Sequence, residues 1–202
     1  MNKIALALLA AVLAAPMAPA YAAEVGKPAP AFTATTSTGE SITLDSLKGK
    51  VVVLEWTNND CPFVKKHYDG GDMQKLQKDM TGKGVVWAQV ISSAPGKQGN
   101  VTGEQAIKLN ADRGAAPTHT FLDPEGTLGR AYGAKSTPHM FVINAEGILS
   151  YAGAIDDNPS ADEADVAGAK NYVRAAVEEL LAGKPVTVAA TKQYGCSIKY
   201  AK

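Results

Sequence analysis

The sequence predicts a single α/β domain with a mixed central β-sheet flanked by helices. Three observations carry this. Val51–Trp56 and Val85–Ile91 are β-branched and almost wholly apolar, as in strands buried on both faces. His139–Ile143 and Ile148–Gly153 flank the turn Asn144-Ala145-Glu146-Gly147 and read as a hairpin. Asp162–Leu181 is amphipathic at helical spacing and is closed by Gly183 and Pro185.

The remaining elements follow in order. Val25–Phe32 is an extended, proline-marked region, and Gly39 turns the chain into Ser41–Leu44, which alternates like an edge strand. Asp45–Lys50 reads as a turn or short helix. After the strand Val51–Trp56 comes a polar loop, Thr57–Asp60, and then Cys61-Pro62. Pro62 suits a first helical turn that Asp60 can cap. Gly70-Gly71 divides this helix, which resumes through Met73, Leu76 and Met80. Ser92–Gly103 is a loop, Glu104–Asp112 a helix and Thr118–Leu122 a short strand. The tail from residue 184 to 202 contains an extended piece, Val186–Ala189, and carries Cys196.

Composition narrows the class. The chain has 202 residues, and its acidic and basic residues balance at 20 each. That balance argues against nucleic acid or an anionic membrane surface as a partner held by bulk charge. Residues 1–22 have the three parts of a secretory signal peptide: Lys3 at the start, an apolar run from Ile4 to Ala15, and the small-residue site Ala20-Tyr21-Ala22. The run is short for a span, which needs about 20 apolar residues. The expectation is therefore a periplasmic protein, free of the membrane after cleavage, with its folded domain at residues 23–202. Both cysteines, Cys61 and Cys196, fall in that part, in a compartment where a disulfide can persist.

Cys61 is the residue most suited to chemistry. A cysteine at a helix N-terminus meets unpaired backbone N–H groups and the positive end of the helix dipole, which favour thiolate over thiol. Such settings lower a thiol pKa from about 8.5 into the range of roughly 3.5–7.5. Lys65 and Lys66 add positive potential, and Asp60 opposes it. The thiolate is the nucleophile towards a disulfide or a peroxide. A buried, inert cysteine is the alternative. Trp56 and Trp87 read as core residues, and Asp156-Asp157 as a turn, with a metal or polar site as the alternative. No glycine cluster has phosphate-loop spacing, and no His/Cys cluster has zinc spacing.

The strand before Cys61, the string Leu54–Tyr68 around it, Ser136-Thr137-Pro138-His139-Met140, Gly153–Asp157 and the tail Tyr194–Tyr200 together resemble the thioredoxin superfamily. More closely, they resemble its redoxin and peroxiredoxin-like branch, the alkyl hydroperoxide reductase/thiol-specific antioxidant group, in an exported subgroup. The resemblance implies a thioredoxin-like fold with an extra N-terminal extended region and a C-terminal tail. It implies a cis peptide at Thr137-Pro138, on a loop facing Cys61 that positions a disulfide substrate. Glu55, six residues before Cys61, matches a buried acid that relays protons in thioredoxins. An acid turned to a polar edge is the equal alternative. Cys196 matches the C-terminal resolving cysteine of some peroxiredoxins, or else forms a static structural disulfide with Cys61.

The departures from the family are informative. Val64 stands where thioredoxins carry their second cysteine, so no local dithiol exists. Peroxiredoxins carry Pro-x-x-x-Thr-x-x-Cys, and here those positions are Leu54 and Asn58, with Thr57 one place off but still within possible reach of the sulfur. Arg130 is a nearby arginine of undetermined direction. The expected catalytic set is Cys61, Cys196, Thr57, Glu55 and Pro138. Cys61 attacks a peroxide or a protein disulfide, Cys196 resolves the product, and a thiol reductant protein restores the dithiol. No bound organic cofactor is required. Two other readings remain: a copper- or metal-binding protein using Cys61 and His139, or a binding module with a fixed Cys61–Cys196 disulfide.

Overall fold

A computed structural model describes residues 23–202. The expected signal peptide lies outside the described residues. A seven-stranded mixed sheet runs in the order β2-β1-β5-β4-β3-β7-β8. Its strands are β1 (Thr33–Thr36), β2 (Ser41–Thr43), β3 (Val52–Trp56), β4 (Val86–Ile91), β5 (His119–Leu122), β7 (His139–Ile143) and β8 (Leu149–Gly153). A separate two-stranded ribbon joins β6 (Ser136–Thr137) to β9 (Cys196–Ser197). The helices are α1 (Pro62–Asp69), α2 (Asp72–Gly82), α3 (Gly103–Asp112), α4 (Thr127–Ala131) and α5 (Tyr172–Leu181).

The centre of the sheet is where the sequence is most apolar. β3 and β4 pair in parallel, β3 and β7 antiparallel, and every residue of these three strands is buried. Strand alternation divides the core into two layers. Val51, Val53, Trp87, Met140 and Val142 pack with Cys61, Val64 and Tyr68 of the α1 region, with α2 and with α5. Leu54, Trp56, Ala88, Phe121, Phe141 and Ile143 pack on the other face with Leu128, Tyr132 and Ala29. The extended N-terminal region lies along the β7–β8 hairpin, with Gly26 N donating to Leu149 O at 2.8 Å and Ala29 N to Gly147 O at 2.9 Å.

Three elements differ from expectation. The helix expected over residues 162–181 starts only at Tyr172. Residues 170–172 are committed elsewhere: Asp157 N donates to Lys170 O, Tyr172 N donates to Ile155 O, and Asp156 bridges to Asn171. Asn171 then caps α5 by accepting from Arg174 N at 2.8 Å. The cap of α1 falls on Cys61 rather than Asp60. In the tail, the extended piece is not 186–189 but β9, where Cys196 stands opposite Thr137 and Ser197 opposite Ser136.

From Tyr194 to Ala201 the tail is a strap across the end of the sheet. Ile198 N donates to Lys135 O at 3.1 Å, and Ala94 N to Lys199 O at 2.8 Å. Tyr200 OH donates to Ala134 O at 2.9 Å, and its ring packs over Gly126 and Gly129. Gly195 has φ +115°, and a Cβ there would meet the Thr137 carbonyl. Gly195→Ala therefore opposes β6–β9 pairing through both backbone strain and a clash. The expected outcome is faster proteolysis within residues 190–202 and a stability loss of about 1–3 kcal/mol by urea unfolding. Unchanged proteolysis would show that the strap tolerates the clash.

Candidate active site

Cys61 is the N-cap of α1 with extended backbone (φ −77°, ψ 122°), and Pro62 occupies the first helical turn. β3 ends at Trp56, and the loop Thr57–Asp60 turns the chain so that Cys61 faces the layer beneath α1. The thiol is 0% exposed. Its Sγ lies 3.1 Å from Thr137 O and 2.6 Å from Cys196 Sγ. Both cysteines are free thiols. Their separation is well inside the contact distance of non-bonded sulfurs, so a small movement reaches the disulfide length of about 2.05 Å. The Thr137–Pro138 bond is cis, and the carbonyl before it is the one Cys61 touches.

Cys196 is half-buried. Burial, then its contact with Cys61 and the charge there, push its thiol up to about 12. Cys196 is therefore poorly suited to open a reaction as a thiolate.

The other residues singled out from sequence fall in different places. Glu55 is wholly buried and accepts from Tyr68 OH at 2.7 Å, Gln77 Nε2 at 3.1 Å and Trp87 Nε1 at 2.7 Å. Burial raises its pKa, against the lowering effect of the Tyr68 hydrogen bond and the Arg113 charge. It is the hub of a polar network beneath α1 rather than an acid at a polar edge. Thr57 Oγ1 is buried without a hydrogen-bond partner, and so is Thr137 Oγ1. Arg130 belongs to the strap: its Nη2 donates to Ala201 O at 2.7 Å, and it stacks on Tyr200 at 4.7 Å. Lys65 is exposed, whereas Lys66 is buried and turned to Asn158 and Asp156.

The metal reading fails on strand alternation. His139 packs against Phe141 with ring centres 4.4 Å apart, in the layer opposite the one that holds Cys61. Its Nδ1 accepts from Lys135 N at 3.3 Å. Burial, then the Lys135 charge, lower its pKa to about 4. Among the described residues, no group of three or more His, Cys, Asp or Glu is placed to hold a metal ion.

Sequence reasoning passed over one cluster. Tyr194 OH donates to Asp156 Oδ1 at 2.5 Å and lies 3.2 Å from His67 Nε2. Lys66 and His67, both on α1, are buried beside the same carboxylate. The signal was present in the two tyrosines that bracket Cys196 and in Asp156, but nothing in the sequence placed them beside α1.

A helix-capping cysteine after a central strand, faced by a cis-proline loop, defines a thioredoxin-like thiol protein of α/β architecture. The comparisons make this specific. The redoxin family profile matches residues 24–171, and the chain belongs to the redoxin family. It is 28% identical over 138 residues to a Coxiella burnetii protein named as a peroxiredoxin, bcp, covering 66% of this chain and 82% of that one. It is 27% identical over 124 residues to the thioredoxin-like protein YneN of Bacillus subtilis, covering 61% and 68%. A conserved protein from Geobacillus kaustophilus superposes with TM-score 0.72 at 28% identity, covering 88% and 93%. A Chlorobium tepidum protein named as a thiol:disulfide interchange protein, DsbE, superposes with TM-score 0.52 at 25% identity, covering 65% and 85%. These similarities support a thiol redox function.

Burial of His139 as the neutral ring yields a test of its structural role. Its pKa is about 4 in the fold and about 6.5 in an unfolded chain. Between these values the unfolded state binds more protons, so stability is full above the upper value and is lost as pH falls towards the lower. His139→Asn is expected to flatten the fall in unfolding free energy between pH 6.5 and about 4 by up to about 1.4 kcal/mol per pH unit. An identical slope in both proteins would contradict the buried neutral assignment.

Proposed function

We propose that this chain is an exported thiol oxidoreductase in which Cys61 and Cys196 alternate between dithiol and disulfide. The observation that carries this reading is the 2.6 Å approach of the two sulfurs across 135 residues of sequence, in a chain that lacks a local second cysteine. The composition of residues 1–22 supports export. No helix among the described residues is long and apolar enough to cross a membrane.

In this reading Cys61 is the attacking sulfur, presented at the start of α1 beneath the Thr137 carbonyl. With a hydroperoxide, the thiolate takes the distal oxygen, the O–O bond breaks, and an alcohol or water leaves after protonation. Cys196 then attacks the Cys61 sulfenic acid, an S–S bond forms, and water is released. With a disulfide, the thiolate displaces one thiol to give a mixed disulfide, and Cys196 attacks the Cys61 sulfur to release the other. A dithiol reductant protein returns both cysteines to thiols by the reverse exchange.

The docked strap favours the small oxidant. Cys61 is fully covered, and the strand edge beside it, Ser136–Thr137, is already paired with Cys196–Ser197. A protein disulfide would have to displace the strap, whereas a hydroperoxide needs only a small opening beside Cys61. Thr137 Oγ1, on the residue whose carbonyl touches the thiol, is a buried hydroxyl with free hydrogen-bonding capacity for such an oxidant. Disulfide exchange is the second reading, favoured by the cis-proline loop against the sulfur.

The test is to mix reduced protein with hydrogen peroxide and, separately, with a peptide disulfide, following intact mass. The expected result with peroxide is loss of two hydrogens faster than free cysteine reacts, with no reaction in Cys61→Ser. Cys196→Ser should accumulate a Cys61 sulfenic acid that dimedone captures. Slow reaction with peroxide but rapid mixed-disulfide formation would move the assignment to exchange. Slow reaction with both would refute the oxidoreductase reading.

A further inference from the structure

The strap is fixed near Cys196 by a buried polar cluster that the sulfur chemistry does not itself use. Tyr194 lies two residues before Cys196, and its ring is 5.9 Å from Phe63 of α1. Its hydroxyl donates to Asp156 Oδ1 at 2.5 Å. With the phenol proton given to Asp156, the 3.2 Å contact with His67 Nε2 is satisfied when the ring N–H donates to the Tyr194 oxygen. Burial, then the Lys66 charge, lower the His67 pKa to about 3, so the ring is neutral and can carry its proton on Nε2.

The surroundings of this contact are unusual for a surface tail. The side chains of Lys66, His67 and Asp156 are 0%, 2% and 2% exposed. Lys66 Nζ donates to Asn158 O at 2.8 Å, lies 3.8 Å from Asp156 Oδ2, and sits 5.1 Å from the centre of the Tyr194 ring. Asn158 N donates to Asp156 Oδ1 at 3.1 Å, so the loop closes around the carboxylate. Buried charges are costly unless geometry and hydrogen bonds compensate. Here the compensation comes partly from a residue of the strap.

The placement of these groups matters more than their number. Phe63, Lys66 and His67 stand on α1, the helix that Cys61 caps. Asp156 lies just beyond β8, and β8 pairs with β7, the strand that follows Pro138. One rigid frame therefore holds Cys61, the Thr137 carbonyl and the receptor for Tyr194. With Gly195 as the sole residue between, docking Tyr194 fixes Cys196 relative to Cys61.

We propose that Tyr194, seated against Asp156 and His67, is the positioning residue that sets Cys196 against Cys61. This rests on reading the two cysteines as a redox pair. The device is also releasable. A hydrogen bond to a charged partner contributes about 1.5–3 kcal/mol net, because water can replace it when the strap lifts. That is enough to favour the docked strap without locking it, so a reductant protein can gain access to the sulfurs.

The test uses the full mature chain equilibrated in glutathione buffers. Two protein thiols give up two electrons and two protons to glutathione disulfide, one protein S–S bond forms, and two glutathione thiols result. Tyr194→Phe should lower this equilibrium constant about tenfold, making the potential about 30 mV less reducing for the two-electron couple. In the Cys61→Ser background Tyr194→Phe should speed proteolysis within residues 190–202 while the rest of the chain stays resistant, which places the loss in strap docking and not in the core. Tyr200→Phe removes a different strap hydroxyl, remote from α1, and should shift the equilibrium far less. Asp156→Asn, which keeps an oxygen acceptor for Tyr194 but removes its charge, should shift the equilibrium in the same direction as Tyr194→Phe. Equal shifts for Tyr194→Phe and Tyr200→Phe, or none for Tyr194→Phe, would overturn the assignment and leave the redox pair standing. A wild-type protein that stays reduced at every glutathione ratio would overturn the redox pair itself, and the positioning role with it.

Discussion

The backbone pairing of Thr137 with Cys196 is the contact on which the rest of the site depends. It joins the two ends of the functional region, since Thr137 precedes Pro138 and its carbonyl touches the Cys61 thiol. Without it, the second cysteine would sit on a free tail, away from Cys61. With it, two residues 135 positions apart become neighbours at 2.6 Å. The cost is conformational: several tail residues must be ordered, each against about 1–2 kcal/mol of backbone entropy. Gly195, the bonds to Lys135 and Ala94, and the Tyr194 and Tyr200 anchors offset that cost.

Beneath the strap, the sheet supplies rigidity. β3, β4 and β7 are buried throughout, and two apolar layers clamp them. The polar side chains around Glu55 bond to one another. Tyr68, Gln77 and Trp87 converge on Glu55, and Gln89 Nε2 donates to the Tyr68 hydroxyl at 2.6 Å. Tyr68 stands on α1, so this network ties the Cys61 helix to β3 and β4. Such a network is costly to disturb, because a lost partner leaves buried donors unpaired. It holds α1 against β3 and β4.

The sequence was most legible where one physical rule dominates. The apolar runs of β3, β4 and β7, the hairpin at Asn144–Gly147 and the division of α1 from α2 at Gly70-Gly71 follow from burial, turn chemistry and glycine. Cys61 at the head of α1 was readable from strand, loop and Pro62. Elements set by tertiary competition were less legible. The start of α5 depends on backbone bonds between residues 155–157 and 170–172, which no local pattern encodes. The short β6 and β9 have two residues each and no periodicity to read. His139 looked available to Cys61 because sequence proximity to Pro138 does not reveal which face of β7 it takes. Lys66 read as positive potential beside Cys61, but it is buried and turned to Asn158 and Asp156.

The central claim is that the strap brings Cys61 and Cys196 into direct bonding contact within one molecule. The most direct measurement is peptide mass mapping of dilute wild-type protein after mild oxidation, without reduction before digestion. The account predicts a single linked pair, the peptide of Cys61 joined to that of Cys196, in monomeric chains and at a yield that does not depend on protein concentration. Links between chains, or a mixture of small-molecule adducts on separate cysteines, would contradict it.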